Sequence, residues 1–332
     1  MTELATAPGT TLTRAELEAR LPAHRRELTG YCYRMLGSVH DAEDAVQETM
    51  VRAWRSIEGF AGRSSLRSWL FRIATNVCLD ALKGRGARAL PMDLNAESSP
   101  PVESSLGTPA PSETWVGPIS DGAVLPASSD PAEVAVARES VRLAFVAALQ
   151  HLPPRQRAVL LLRDVLRWHA DEVAQLLDSS VASANSALQR ARATVAAHQL
   201  DAPGPVEPPG PGLDQLLERY VSAFERYDMD ELVELLREDA TQSMPPFRLW
   251  LSGAQDIAAW MLGVGAGCRD SRLVRLQANG RPALAQYRPD PEGGGHVPWG
   301  IHVLDVSGGQ VVRITSFIDP TLFPHFGLAA RV

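Results

Sequence analysis

Apolar residues recur every three or four positions through the N-terminal part of the chain, which is the pattern of helices that bury one face. In "SSVASANSALQRARATV", a helix beginning at Val181 aligns Val181, Ala184, Leu188, Ala191 and Val195 on one stripe and sets Ser183, Ser186 and Arg190 roughly opposite. One side is suited to burial. The other offers short hydroxyls, which let a large partner come close, and a cation. Just upstream, "LPPRQRAVLLLRDVLRWHADEVAQLLD" predicts a helix entered through a proline pair, a second over 170–177, and a tight turn at 178–180.

Helix, turn, helix is an arrangement whose second member enters the major groove of DNA N-terminal end first. On that geometry Ser183 and Ser186 reach base edges, and Gln189 and Arg190 reach a base or phosphate. Arg192 lies nearer the buried stripe and is assigned to the rim or to an internal contact.

Further upstream, "HDAEDAVQETMVRAWRSI" predicts a helix capped by Asp41, with Val46, Met50, Trp54 and Ile57 down one face and Asp44, Gln47, Glu48 and Arg55 on the others. "FAGRSSLRSWLFRIATNVCLDALKGR" predicts a Gly/Arg/Ser loop, a serine cap and a helix with Leu66, Leu70, Ile73 and Val77 inward. Arg67, Arg72, Asn76 and Lys83 then face outward. Trp54 and Trp69, at helical spacing, are assigned to the core ahead of stacking on bases.

The pattern changes at two places. From Leu90 to about Pro131 the chain is rich in Pro, Ser and acid without any sustained period and reads as a flexible connector, and "DAPGPVEPPGPG" at 201–212 is a second breaker. Beyond it come two short amphipathic helices and a strand, a helix at "GAQDIAAWM", and strands at "RPALAQYRPD", "VPWGIHVLDVSGG" and "QVVRITSFID", the last two joined by a Gly-Gly hairpin turn. The expected division is an N-terminal segment 1–23, a helical module 24–88, a flexible acidic linker 89–138, a second helical module 139–200, a Pro/Gly linker 201–212 and a C-terminal domain 213–332.

Charge sharpens this division. Residues 24–88 hold 11 Lys/Arg against 7 Asp/Glu and 152–199 hold 6 against 4, whereas 89–140 hold 1 against 8 and 213–332 hold 11 against 15. Two basic modules are separated by an acidic connector and followed by an acidic domain, an asymmetry that points to nucleic acid. Cys32, Cys78 and Cys268 form no metal-binding or disulfide spacing and are expected to be buried or inert thiols. The start of the chain lacks a basic, then apolar, leader and no segment reaches the ~20 apolar residues of a membrane span, so a cytoplasmic location without membrane contact is expected.

"DAEDAVQETMVRAW" followed by "FAGRSSLRSWLFRIATN" resembles region 2 of the extracytoplasmic-function sigma factors of bacterial RNA polymerase. "LPPRQRAVLLLRDV" with "SVASANSALQRAR" resembles sigma region 4, the reader of the −35 element. The resemblance implies core RNA polymerase and promoter DNA as partners. Asp44, Gln47 and Glu48 would dock on the β′ clamp helices, and region 4 would meet the β flap. Arg63, Ser64 and Ser65 would hold an unstacked −10 base, with Arg72 and Asn76 against the same DNA.

The C-terminal pattern resembles the SnoaL-like, nuclear-transport-factor-2-like cone, and "SFIDPTLFPHFGL" resembles the tail of the larger sigma factors that carry such a domain. The fold class is thus multidomain: two all-α modules and an α+β cone. Relatives of the cone enclose a pocket, for which Trp250, Tyr287, Trp299, His302 and Asp319 are the candidates here. Strand alternation puts Trp299 and His302 on opposite faces unless a bulge intervenes, so no acid–base pair is visible. The domain reads as regulatory, with a small ligand or an anti-sigma partner open, and no enzyme activity, cofactor or metal is expected. Two rival readings remain: a ligand-responsive helix-turn-helix regulator, which has no use for "DAEDAVQET", and a DNA-tethered enzyme, which needs a paired acid and base in the cone.

Overall fold

A computed structural model describes residues 13–60, 64–95, 97–126, 130–198 and 210–332. In chain order the helices are α1 (Arg14–Leu36), α2 (Val39–Arg55), α3 (Leu66–Ala81), α4 (Pro91–Leu94), α5 (Asp121–Val124), α6 (Pro131–Glu139), α7 (Leu143–Gln150), α8 (Pro154–Leu160), α9 (Ala170–Leu176), α10 (Val181–His198), α11 (Pro211–Arg226), α12 (Met229–Leu235) and α13 (Ala254–Leu262). The strands are β1 (Leu236–Ser243), β2 (Trp250–Ser252), β3 (Arg272–Ala278), β4 (Arg281–Pro289), β5 (His296–Ser307) and β6 (Gln310–Phe317). They divide into two compact units: Met1–Ala87 with Gly122–Leu200, and Arg88–Asp121 with Asp201–Val332.

In the first unit α1 opens on a capping box, Thr13 with Glu16, and stops where Gly37 turns left-handed at φ 73°. Ser38, not Asp41, caps α2: its hydroxyl accepts from the Asp41 N–H at 3.3 Å. Asp41 sits a turn inside, where its charge suits the helix N-terminus, and receives Arg85 at 2.8 Å. The buried face of α2 is Ala42, Ala45, Val46, Thr49 and Ala53, small residues that let α1 approach. Trp54 therefore lies outside the core, 42% exposed, with the Arg14 guanidinium 4.7 Å over its ring and its indole N–H donated to Glu18 at 3.0 Å. Trp69 is half-buried and packs on Phe60, with ring centres 5.1 Å apart.

Helix α3 is capped by Ser65, whose Oγ accepts from the Ser68 N–H at 3.0 Å. Leu66, Leu70 and Val77 are buried as expected, joined by Phe71 and Ala74, while Ile73 is only half-buried. Arg67 does not face outward: it pairs with Glu27 and lies 5.2 and 5.1 Å from the ring centres of Phe71 and Trp168. Cys32 and Cys78 are buried and free, and the Cys32 thiol together with burial holds the Cys78 thiol well above its ordinary range. That leaves little of the reactive thiolate.

Helices α6–α10 complete this unit, and two buried arginines fasten them to α1. Arg34 donates to the Ser140 carbonyl at 2.9 Å and to its hydroxyl at 2.7 Å. Arg157 donates to the Met35 carbonyl, to Gln150 Oε1 at 2.7 Å, and to the Gln150 and Leu152 carbonyls at 3.0 and 3.2 Å. Met35 belongs to the last turn of α1, whose carbonyls have no helical partner and carry the negative end of the helix dipole. Burial pulls both guanidinium groups down to about 10, so each stays charged at neutral pH.

The second unit is a six-stranded sheet of order β2-β1-β6-β5-β4-β3, antiparallel except for β1 beside β6, with α11–α13 contributing to its core. The expected Gly-Gly hairpin joins β5 to β6, Gly308 and Gly309 lying at φ 62° and 76°. Strands β2 and β3 form the two edges.

Residues 88–121, expected to be flexible, are instead docked on this domain. Ser99 donates its N–H to the Trp250 carbonyl of β2 at 2.8 Å, and Ala110 to Pro246 at 2.9 Å. At the other edge Ser120 bridges Ala278, the Asn279 side chain accepts from the Ile119 N–H at 3.0 Å, and Asp121 accepts from the Gly280 N–H at 2.7 Å. Trp115, Val116 and Ile119 are buried. The remainder of the expected linker also differs, since 131–139 forms α6, capped by Asp130. Of the Pro/Gly linker expected at 201–212, residues 201–209 lie outside the described residues, and 211–212 instead open helix α11, where proline suits the first turn.

Arg157→Ala removes a buried donor from four acceptors and is expected to destabilise the first unit by about 2–4 kcal/mol. Urea denaturation of the full chain checks this, and a loss below about 0.5 kcal/mol contradicts it.

Candidate promoter-reading surfaces and cone cavity

Three groups of side chains have the exposure that contact with a partner requires. On α2, Asp44 and Gln47 are exposed, and Glu48 is half-buried and engaged by Arg52 one turn on, at 2.6 Å. Ala42, Ala45 and Val46 hold the opposite side against the core, which fixes the direction of this polar face.

At the start of α3, Ser64 and Ser65 are exposed, and Ser65 already spends its hydroxyl on the helix cap. Asn76 is exposed on the same helix. Arg72 is half-buried and donates to the Gln175 carbonyl of α9 at 3.0 Å. Arg63 lies outside the described residues.

On α10, Ala184, Leu188, Ala191 and Val195 form the buried stripe, and Val181, the first residue of the helix, is left 43% exposed. Ser183, Ser186, Gln189 and Arg190 are all exposed. Arg192 is bound internally, giving two N–H bonds to Asp164 at 2.9 and 2.7 Å. Asp178, in the turn before α10, takes a left-handed φ of 48°, and Ser180 Oγ accepts from the Ser183 N–H at 3.1 Å.

In the second unit a cavity of about 430 Å³ opens among α11–α13, the sheet and the docked connector. Only two of the five candidates line it, Trp299 and His302. They share the cavity because of a bulge: Tyr287 pairs with Pro298 and Gln286 with Gly300, so Trp299 has no partner of its own and turns to the side of His302. Trp250 instead holds the connector, giving its indole N–H to the Asn95 carbonyl at 3.0 Å. Tyr287 is on the other face, edge-on to Phe323 at 5.0 Å and donating to the Ala329 carbonyl at 2.9 Å. Asp319 caps the turn Pro320–Phe326, accepting from the Thr321 N–H at 2.9 Å.

The polar part of the cavity is a chain of hydrogen bonds. Ser271 Oγ accepts from Gln286 Nε2 at 2.9 Å, Gln286 Oε1 lies 2.9 Å from His302 Nε2, and His302 Nδ1 lies 2.7 Å from Ser316 Oγ. An amide oxygen only accepts, so Nε2 carries the imidazole proton and Nδ1 accepts from the serine. Burial, helped by the charge on Arg288, pushes His302 down to about 4. Among the described residues, no Asp or Glu lines the cavity. A neutral histidine with both nitrogens committed, and no carboxylate beside it, is equipped for binding and not for proton transfer at neutral pH.

Sequence reasoning missed Gln242, Gln286, Arg288 and Ser316, which line the cavity with His302. The residues at 286 and 288 share a strand face by simple alternation with 284, which faces His302. That signal was present in "RPALAQYRPD". The Asn-Gly turn at 279–280, which binds the connector, also carried the short-hairpin signature.

Family models for Sigma-70 region 2, Sigma-70 region 4 and the SnoaL-like domain match residues 22–88, 142–195 and 217–314. ECF RNA polymerase sigma factor SigG of Mycobacterium tuberculosis is 48% identical over 95% of this chain and 84% of its own length. SigJ of the same organism is 27% identical over 93% of this chain and 94% of its own. The crystal structure of Mycobacterium tuberculosis SigJ has the same fold, with a TM-score of 0.57 at 24% identity, covering 96% of this chain and all of that one. The chain belongs to the ECF RNA polymerase sigma factors. It is a transcription initiation factor that works with core RNA polymerase and promoter DNA, not an enzyme. Among the described residues, no helix is long and apolar enough to cross a membrane.

His302 supplies a pH signature. Its folded pKa lies below the ordinary 6.5, so the unfolded chain takes up a proton first as pH falls, and stability is lost through the window from 6.5 to about 4. The contribution is about 3 kcal/mol at full extent. His302→Gln should flatten the fall in stability over that window, measured by urea denaturation followed at β5 amides. Identical pH profiles for the variant and the native chain contradict the assignment.

Proposed function

We propose that the two helical modules, 24–88 and 139–200, divide promoter recognition, and that the cone domain, 213–332, regulates them from within the cytoplasm. Asp44, Gln47 and Glu48 face the β′ clamp helices, Arg63, Ser64, Ser65, Arg72 and Asn76 serve the −10 element, and region 4 meets the β flap. Ser183, Ser186, Gln189 and Arg190 read the −35 element. The observation that carries this reading is the state of α10: four polar side chains stand exposed over a buried stripe, and Arg190 has no protein partner among the described residues, whereas Arg192 is spent on Asp164.

The docked first unit is then a resting arrangement. The −10 and −35 elements lie about 25 base pairs apart, roughly 85 Å of B-form duplex. Helices joined by direct bonds such as Arg157 to Met35 and Arg72 to Gln175 cannot bridge that length, since an 18-residue helix such as α10 spans only about 27 Å. Polymerase and promoter must draw the modules apart, freeing Arg72 for DNA. Whatever holds or releases the connector between them, whether the cone domain, a small ligand or an anti-sigma partner, shifts that equilibrium.

Asp44→Arg with Glu48→Arg should abolish capture of core polymerase while leaving the circular-dichroism spectrum unchanged. Arg190→Ala should keep core binding and weaken a duplex −35 probe by about 1–3 kcal/mol if it makes a bidentate base contact. Native capture by the acidic-face variant, or an unweakened −35 probe, contradicts the respective role.

A further inference from the structure

We propose that the cone cavity binds a largely apolar small molecule bearing one carboxylate, that Arg288 receives this group, and that occupancy tightens the docking of residues 88–121. The inference rests on reading the C-terminal domain as the regulator, but binding itself is measured without reference to transcription.

Size and lining set the class of guest. At the roughly 30 Å³ that a water takes in the liquid, a cavity of about 430 Å³ has room for on the order of 14 non-hydrogen atoms. Most of its wall is hydrocarbon, aromatic ring or thioether, including Tyr220, Phe224, Met244, Trp260 and Met261. That surface favours an apolar body.

Charge sets the head group. Among the described residues, Arg288 is the only Lys or Arg in the wall and has no carboxylate partner. Its guanidinium carbon lies 3.4 Å from the centre of the Trp299 ring, a cation–π contact that holds a carboxylate-binding group in the wall. One of its N–H groups now points at Cys268 Sγ at 2.9 Å, a weak acceptor, and Nε is buried with no partner. A single guanidinium suits one negative charge better than a dianion.

The wall also includes Leu106 and Pro109, both from the connector, beside Ala110, whose N–H is donated to Pro246. A guest that touches both sides binds the docked form more tightly than the undocked form, and by linkage it stabilises docking to the same degree.

The test uses the full-length chain with 1-naphthylacetate, a 14-atom apolar acid, and its neutral isostere 1-naphthylacetamide, by isothermal titration calorimetry. The acid should bind at least about tenfold more tightly than the amide, as expected when a charge-assisted bond is lost. Arg288→Met should erase that difference, and Leu106→Trp, which fills the cavity from the connector side, should abolish binding of both. Saturating acid should slow hydrogen exchange at the Ala110 amide. Equal affinity for acid and amide, no binding of either at millimolar concentration, retained preference in Arg288→Met, full binding by Leu106→Trp, or unchanged exchange at Ala110 each overturn the proposal. Transcript yield with core polymerase is read separately, so unchanged yield alongside intact binding counts against the regulatory reading and leaves the ligand site standing.

Discussion

A six-stranded open sheet has two edges, and each edge is a row of peptide groups that must find partners. Here one stretch of chain meets both. The connector gives an N–H to Trp250 on β2 and bridges Ala278 at the end of β3, and between these points it buries Trp115, Val116 and Ile119. Burial of Val116 and Ile119 contributes about 1.5–3 kcal/mol each. The cavity depends on the same docking, because Leu106 and Pro109 form part of its wall. So does the proposed regulation: the segment that completes the cone is also the covalent link between the two helical modules.

The first unit is fastened by buried charge as well as by hydrophobic contact. Arg34 and Arg157 reach carbonyl and side-chain oxygens, with no carboxylate at short range among the described residues, and Arg157 uses the otherwise unpaired end of α1 as an acceptor. A joint made of directed bonds is specific, and it can be exchanged for other bonds at modest net cost. That suits modules which, on the proposed reading, separate to span a promoter. The apolar stripe of α10 packs with α7, α8 and α9 of the same module, so the proposed opening of the joint leaves that helix folded.

Much of this was legible in the sequence because helical period and turn chemistry are local. The stripe Ala184, Leu188, Ala191 and Val195, the inward face of α3 and the Gly308–Gly309 hairpin all follow from neighbours a few residues apart. Trp54 was misplaced because a tryptophan at helical spacing looks like core, while the alanines beside it set how closely α1 packs. Asp41 lost the cap to Ser38, whose extended backbone comes directly after the left-handed Gly37. The connector was the largest difference. Its composition cannot build a core of its own, and nothing local reveals that edge strands more than a hundred residues away supply its partners. The bulge at Trp299 is of the same kind: alternation fails only because β4 and β5 pair with one residue left over.

Docking of the connector is tested most directly by hydrogen exchange on the intact chain at neutral pH. The amides of Ala89, Ser99, Ala110 and Val116 donate to carbonyls at 2.8 to 3.1 Å and should exchange at least about a hundredfold more slowly than a free peptide of the same sequence. Trp250→Ala, which loses the indole bond to Asn95, should speed exchange at Ser99. Free-peptide exchange rates across 88–121 in the native chain would show that the connector is undocked in solution, and would contradict its role as the link between the cone domain and the promoter-reading modules.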